Sequence, residues 1–297
     1  MLFERQRLLL ALLDAFGEPL SGTDFQKLLF LYTKEWEASP SYEFVPYQFG
    51  GFSFTSYADK RRLIERGLLE DDDQRWALTP VGRKTARSGR VLSERLGRFG
   101  QRYRALRGDD LVREVYLRFP YYATRSRIVQ RVLPEVKDRA AIEAARPAAS
   151  RPGLVTIGYE GKTLEAYLNQ LLRDSVTILC DVRRNPISRK YGFSKSTLAK
   201  ACAGVGIRYE HLPALGIASD DRRNLETQAD YDALFADYER TSLPQQGTSL
   251  EIIQGWLDQG ERVALTCYEA QPCQCHRHCV AEALERAAGK KLAAVHL

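Results

Sequence analysis

Apolar residues recur at helical spacing along the first part of the chain. Charged residues interrupt the apolar run of the first 16 residues, which predicts an amphipathic helix over 3–16 that ends at Gly17. A second helix is expected over 24–37, with Ser21 or Thr23 as its N-cap. A third helix, near 56–66, precedes Gly67, a residue suited to a helix C-terminus.

The segment after the third helix reads as a hairpin followed by a helix. Residues 68–83 contain Leu-Leu-Glu, three aspartates in a turn, and Trp-Ala-Leu-Thr-Pro-Val-Gly-Arg. This order resembles the end of many winged-helix domains, and residues 47–53 are similar to a loop in some of them. The resemblance covers about 60 residues and implies a winged-helix-like DNA-binding domain over 1–90, with a helix in the major groove. Winged helices also serve as protein-interaction modules, and that alternative stays open.

The middle of the chain is arginine-rich, and its end is rich in proline and alanine. Residues 84–145 favour helices with basic faces, and residues 134–152 are typical of a linker. We therefore predict an Arg-rich helical region and linker over 91–150.

From residue 154 the pattern changes to short apolar runs that alternate with helical stretches. Strands are predicted at 154–158, 176–182, 207–212, 262–267 and 291–296. Apolar strands that alternate with helices indicate a parallel sheet covered on both faces. The predicted fold class is α/β. A parallel-sheet, Rossmann-like C-terminal domain over 151–297 is expected to be the catalytic part, and a mainly helical, winged-helix-like N-terminal domain precedes it.

The net charge of +6 lies wholly in the N-terminal half. Residues 1–150 hold 26 Lys and Arg against 20 Asp and Glu, whereas residues 151–297 hold 18 of each. Basic side chains that neutralise phosphates drive sequence-independent binding, although a charge run is more often a solvated helix face. We expect double-stranded DNA as the partner, bound by Arg61, Arg62, Arg83, Lys84, Arg87 and Arg90.

The sequence contains no apolar stretch of 18 residues and no signal-peptide cleavage site after the first helix. A cytoplasmic protein without membrane contact is therefore expected. Without a secretory signal, the six cysteines predict no disulfide framework, although four of them lie within residues 267–279. Nothing in the sequence indicates an oligomeric state.

In a parallel α/β sheet the working residues lie at the carboxyl ends of the strands. The catalytic candidates at these ends are Glu160, Asp181, Cys267 and Glu269. The candidates for binding substrate or phosphate are Tyr159, Arg183, His211, Cys275, His276 and Arg277. Carboxylates here could activate water or stabilise a sugar cation, and Tyr159 could stack on a base. The alternatives are an Asp181 ion pair with Arg183 or Arg277, and ordinary packing for Tyr159.

Four motifs in order resemble the domain-of-unknown-function 488 family. They are Thr-Ile-Gly-Tyr-Glu at 156–160, Leu-Cys-Asp-Val-Arg-Arg-Asn-Pro at 179–186, His-Leu-Pro-Ala-Leu-Gly at 211–216, and Cys-Tyr-Glu at 267–269 with Pro272 and Cys-His-Arg at 275–277. The resemblance covers about residues 153–288 and implies an α/β domain and little settled chemistry. This chain departs from the family by adding Cys273, His278 and Cys279.

The segment from Cys267 to Arg277 joins a strand to a helix N-terminus, where free amides favour an anion. Cys275 lies nearer the helix and is expected to be the thiol of lower pKa. Cysteine phosphatases and rhodaneses use a loop of this sort, but their cysteine and arginine are closer together. A buried structural thiol is the alternative for either cysteine. Metal ligation by four of the residues Cys267, Cys273, Cys275, His276, His278 and Cys279 is a further alternative. The spacing lacks paired Cys-x-x-Cys units, so no metal and no cofactor is predicted.

These patterns favour a DNA-binding enzyme of DNA repair or processing that hydrolyses a bond in a damaged or modified nucleotide. Glycosylase-like base excision is the preferred reaction and nuclease action the second. The alternatives are a winged-helix regulator whose C-terminal domain senses a small anion or oxidant, and a thiol-dependent enzyme like a rhodanese or phosphatase.

Overall fold

The computed structural model describes residues 1–17, 19–88, 90–148, 151–218, 220–222, 225–289 and 292–297. The chain divides into two compact units, Met1–Arg146 and Pro147–Leu297, and each has its own hydrophobic core. Within the described residues, no helix has the length and apolar character needed to cross a membrane.

The N-terminal unit is mainly helical. Its elements are α1 (Glu4–Phe16), β1 (Leu20–Ser21), α2 (Gly22–Glu35), β2 (Val45–Tyr47), β3 (Gly50–Phe52), α3 (Phe54–Glu65), β4 (Arg75–Trp76), α4 (Pro80–Ala86), α5 (Arg90–Tyr103), α6 (Gly108–Arg118), α7 (Val129–Val132) and α8 (Val136–Ala144). The first helix ends at Gly17, which has a left-handed φ of 71°, and Ser21 caps α2 by accepting from the Asp24 amide.

The predicted hairpin is present as a single bridge. Leu69 and Leu78 form an antiparallel bridge, and β4 pairs with β1 rather than with a partner across the turn. Thr79 then caps α4 by accepting from the Gly82 amide. The order of helix, hairpin and helix therefore follows the sequence pattern, while the winged-helix resemblance itself stays a prediction.

Helices α5, α6, α7 and α8 each contribute side chains to the core of the N-terminal unit. Phe99 of α5 packs edge-on against Phe16 and Tyr32, and Tyr116 of α6 is buried in the same cluster. The segment predicted as a linker departs most from its prediction, because residues 136–144 form α8 and bury Ile142. The segment between Pro134 and Pro147 thus contributes a packed helix where the composition favoured a linker.

The C-terminal unit is a parallel α/β fold. Its elements are β5 (Gly153–Gly158), α9 (Leu164–Arg173), β6 (Ile178–Asp181), α10 (Lys195–Gly204), β7 (Arg208–His211), α11 (Gln228–Thr241), α12 (Gly247–Asp258), β8 (Arg262–Cys267), α13 (Arg277–Ala288) and β9 (Val295–His296). The strands form one sheet in the order β7-β6-β8-β5-β9, and every pair is parallel. The predicted α/β fold class is confirmed.

The order of the strands decides which loops meet. Strand β8 lies between β6 and β5, so Cys267 pairs with Gly158 while its neighbour Thr266 pairs with Asp181. The carboxyl ends of these three strands therefore lie side by side, although they are far apart in the sequence.

Candidate active site

The loops after β5 and β8 are joined at the carboxyl edge of the sheet. Glu160 Oε2 accepts a hydrogen bond of 2.9 Å from the Ala270 amide, and Arg277 donates one of 2.9 Å to the Ala270 carbonyl. A Cβ on Gly158 would lie 1.9 Å from the Glu269 carbonyl oxygen, so only glycine lets the second loop lie across the end of β5. Sequence reasoning thus placed Glu160, Cys267 and Arg277 on the correct edge.

Arg277 holds this loop instead of facing a substrate. Its guanidinium is fully buried and donates to Thr156 Oγ1, to the Glu269 carbonyl at 2.6 Å and to the Ala270 carbonyl. The expected role in binding phosphate is therefore not what the geometry shows. Arginine supplies the several donors that a buried loop of carbonyls requires.

Asp181 is the centre of a buried ion pair. Its carboxylate has no exposed surface, and Arg183 donates to it through Nε at 2.8 Å and Nη2 at 2.5 Å. The Tyr209 hydroxyl donates to Asp181 Oδ2 at 2.6 Å. Burial and the Asp181 charge raise the pKa of Tyr209, so the hydroxyl remains a donor. The structure thus confirms the alternative expected for Asp181, an ion pair with Arg183. The carboxylate is not accessible to solvent.

Tyr159 packs within the protein. Its ring is stacked on Phe193 at a centroid distance of 4.3 Å, and the ring of Tyr268 meets it edge-on. The hydroxyl accepts from Arg183 Nη1 at 2.8 Å. The side chain is 3% exposed, so the prediction that it stacks on a base gives way to ordinary packing.

His211 and Glu160 stabilise the rim. His211 Nε2 lies 2.9 Å from the Arg183 carbonyl, and His211 Nδ1 lies 3.0 Å from Lys195 Nζ. Glu160 is exposed and holds the Ala270 amide as described above. Both candidates are at the predicted edge, where they fix backbone positions.

A cysteine and a histidine lie together at the end of β8. His276 Nε2 is 3.0 Å from the Val182 carbonyl, which can only accept, so this nitrogen carries the proton. In the neutral ring, Nδ1 then has a free lone pair, and it lies 3.8 Å from Cys267 Sγ. The imidazole is thus oriented by a backbone carbonyl and presents its acceptor nitrogen to the thiol.

A second thiol and a carboxylate complete this cluster. Glu269 Oε2 is 3.4 Å from Cys267 Sγ, and Arg222 forms an ion pair with Glu269. Burial would raise the pKa of Glu269, but the Arg222 charge and hydrogen bonds from the Cys275 and Cys267 thiols outweigh it and lower that pKa. One donor atom each from Cys267, Cys275 and His276 lies within 4.8 Å of the other two.

The prediction that Cys275 is the thiol of lower pKa is wrong. Burial, and then contact with Cys267, raises the pKa of Cys275 well above the ordinary value. The residues that this chain adds to the family motif stay outside the cluster. Cys273 is exposed, His278 Nδ1 is bound to the Cys275 carbonyl, and burial raises the pKa of Cys279 to about 12.

A cleft of about 300 Å³ opens over this cluster, with Cys267 and His276 among its lining residues. Four arginines also line it: Arg183, Arg184, Arg189 and Arg222. Arg184 and Arg189 are exposed, and within the described part of the chain neither has an acidic side chain at ion-pair distance. The cleft therefore presents positive charge that no described acidic side chain neutralises.

Sequence reasoning missed Arg184, Arg189 and Arg222. Arg184 and Arg189 lie on either side of residues 185–188 in the loop after β6. A Cβ on Gly216 would lie 2.1 Å from the Arg184 amide nitrogen. Functional residues of parallel α/β sheets lie in the loops at the carboxyl ends of the strands. Considering these loops over their whole length, and not only the first residues after each strand, could have identified the three arginines.

The basic residues predicted to bind DNA lie on two helices of the N-terminal unit. Arg61 and Arg62 on α3 and Lys84 on α4 are exposed, and Arg83 is partly exposed. No acidic partner of these four occurs among the residues with described positions. Arg87 differs, because its Nε forms an ion pair of 3.1 Å with Asp14. The side chain of Arg90 lies outside the described part.

Comparison with known proteins gives one match. Residues 163–284 match the family model described as Domain of unknown function DUF488, which confirms the resemblance carried by the four motifs. No curated protein and no solved structure matches the chain.

Proposed function

We propose, from the premise that the C-terminal unit belongs to the DUF488 family, that this unit is a hydrolase acting on a phosphate-bearing substrate and that the substrate is DNA. The observation that carries the proposal is the cleft at the carboxyl edge of the sheet, with Arg184 and Arg189 on its wall and Cys267 and His276 at its floor. Guanidinium groups without an acidic partner favour a phosphate, which they can bind through two parallel hydrogen bonds.

Two of the candidate carboxylates are held in ion pairs, and this favours cleavage of a phosphate ester over base excision. Asp181 is buried in its ion pair, and Glu269 is bound to Arg222. Tyr159 is packed on Phe193, so its ring is not free to stack on a base. Glycosidic hydrolysis needs a carboxylic acid and a carboxylate on either side of the sugar bond, and these residues do not offer such a pair.

Removing the two unpaired arginines should weaken phosphate binding in the cleft. For Arg184→Ala/Arg189→Ala we expect a loss of affinity of at least about 100-fold for a short oligonucleotide, since two charge-assisted contacts of about 1.5–3 kcal/mol each add up to about 3 kcal/mol or more. The measurement is binding to the full chain, combined with mass analysis of strand ends and released bases after incubation with DNA. The matched control is Arg240→Ala/Arg286→Ala, because both arginines already have acidic partners.

The reaction products decide between the candidates. Shortened DNA strands after incubation with the native protein would support the proposal, whereas released free bases would support base excision instead. Equal affinity of the two double variants would show that the cleft does not hold the phosphate.

The N-terminal unit is proposed to bind the DNA backbone through α3 and α4. Removing four phosphate contacts should reduce the slope of log affinity against log salt by about 3 to 4. The variant replaces Arg61, Arg62, Arg83 and Lys84 by alanine, and the control removes four ion-paired cations of the same unit, Arg75, Arg131, Lys137 and Arg146. An equal change of slope in both variants would mean that net charge, and not this surface, binds DNA.

A thiol-dependent transferase is the second candidate, and one observation favours it. His276 presents Nδ1 to Cys267 Sγ while Val182 fixes its other nitrogen, which is the arrangement of nucleophile, base and orienting group. This candidate requires that alkylation of Cys267 abolish turnover of a small anionic substrate in the absence of DNA.

A further inference from the structure

The floor of the cleft holds three side chains that are typical zinc ligands. Cys267, Cys275 and His276 each offer one donor atom, and these atoms all lie within 4.8 Å of one another. All three residues are buried, at 0%, 0% and 1% exposure. Thiolates and an imidazole form the donor set that proteins use for zinc.

The distance between sulfur and nitrogen suits one shared ion. Zinc lies about 2.3 Å from sulfur and about 2.0 Å from nitrogen, so two such ligands at tetrahedral angles are roughly 3.5 Å apart. Cys267 Sγ and His276 Nδ1 are 3.8 Å apart. An ion between them would need only a small closure of the site.

The surroundings of the cluster match those of a metal site. His276 donates from Nε2 to the Val182 carbonyl, which leaves Nδ1 as the ligand atom. Metal-binding histidines use this backbone hydrogen bond to fix the tautomer and the direction of the ring. Glu269 lies 3.4 Å from Cys267 Sγ and is held by Arg222. It therefore serves as an orienting neighbour of the ligands.

A simple cysteine nucleophile explains fewer of these contacts. A pair of Cys267 and His276 has no use for Cys275, which is buried in contact with both. A nucleophilic sulfur must also reach the substrate, whereas Cys267 has no exposed surface. Metal ligands, in contrast, are normally buried and arranged around a common point.

We propose that Cys267, Cys275 and His276 bind one Zn²⁺ ion at the floor of the cleft. Only Cys267 and His276 among these ligands line the cleft, so the open side of the cluster faces the arginines. Three protein ligands leave a fourth position for water, which is the arrangement of catalytic zinc. That role rests on the proposed function, while the binding of the ion does not. Both thiols become thiolates on binding, and their protons pass to solvent.

The test measures metal in the full chain purified without added metal or chelator. We expect about one zinc per chain by elemental analysis, and loss of at least 90% of it in Cys275→Ala. The matched control is Cys273→Ala, which removes an exposed thiol of the same loop and should keep the metal. Native protein without zinc that also fails to take up one equivalent after reduction would overturn the proposal, as would full zinc content in Cys275→Ala.

A second measurement on the native chain guards against a misfolded variant. Replacing zinc by Co²⁺ should give intense near-ultraviolet absorption from thiolate-to-cobalt charge transfer, and two cysteines should react with a thiol reagent only after chelation. Cobalt absorption without the charge-transfer band would contradict thiolate ligation. If zinc is bound but Arg184→Ala/Arg189→Ala leaves oligonucleotide affinity unchanged, the metal site stands and the proposed substrate fails.

Discussion

Replacing Asp181 by alanine is expected to lower the free energy of unfolding of the C-terminal unit by about 3–5 kcal/mol. The substitution leaves the Arg183 guanidinium, 6% exposed, without its counter-ion in the interior. It also removes the acceptor of the Tyr209 hydroxyl. Arg183 follows β6, and Tyr209 lies on the adjacent strand β7. Native-state hydrogen exchange of peptides from β6 and β8 measures the loss directly.

The double variant Asp181→Leu/Arg183→Met separates a structural role from a catalytic one. Removing both charges avoids the unpaired ion, so most of the lost stability should return. An Asp181→Ala protein that keeps its exchange protection but loses turnover would show that Asp181 takes part in the reaction. Its burial and its hydrogen bonds from Arg183 and Tyr209 make the opposite result the expected one.

Strands β5 and β8 of the C-terminal unit were predictable because their residues are mostly apolar and buried. Residues 154–158 and 262–267 were expected as strands, and the structure forms β5 over 153–158 and β8 over 262–267. A strand buried on both faces is apolar along its length, so a short continuous apolar run predicts such a strand. The order of the strands is a different matter, because only long-range pairing places β8 between β6 and β5.

The positions of the site residues were predictable, but their tasks were not. Asp181 ends β6 and Arg277 begins α13 at the expected edge, and both are buried and hydrogen-bonded within the protein. A sequence shows that a charged residue is near a strand end, but it does not show whether another part of the chain satisfies that charge. Arg184 and Arg189 have no such partner in the described structure, and they were the residues overlooked.

Lys27 of α2 makes the stability of the N-terminal unit depend on pH. Its ammonium group is 2% exposed and donates to the Gly51 carbonyl at 3.0 Å. Burial lowers the pKa of Lys27 from 10.5 to about 7, and the charge of Asp24 opposes this only in part. Between these two pKa values the unfolded chain binds a proton that the folded chain has released. Stability therefore increases with pH across this window.

Raising the pH from 7 to 9 should stabilise the N-terminal unit by about 2 kcal/mol through Lys27 alone, and Lys27→Met should remove that increment. The measurement is urea unfolding at both pH values, followed by the fluorescence of Trp36 and Trp76 in a chain that carries Trp256→Phe. Lys34→Met is the matched control, since Lys34 is exposed on the same helix. Other titrating groups contribute equally to all three chains and cancel in the comparison. The same pH dependence in Lys27→Met and the parent chain would mean that Lys27 is charged in the folded state and that water or a nearby carboxylate reaches it.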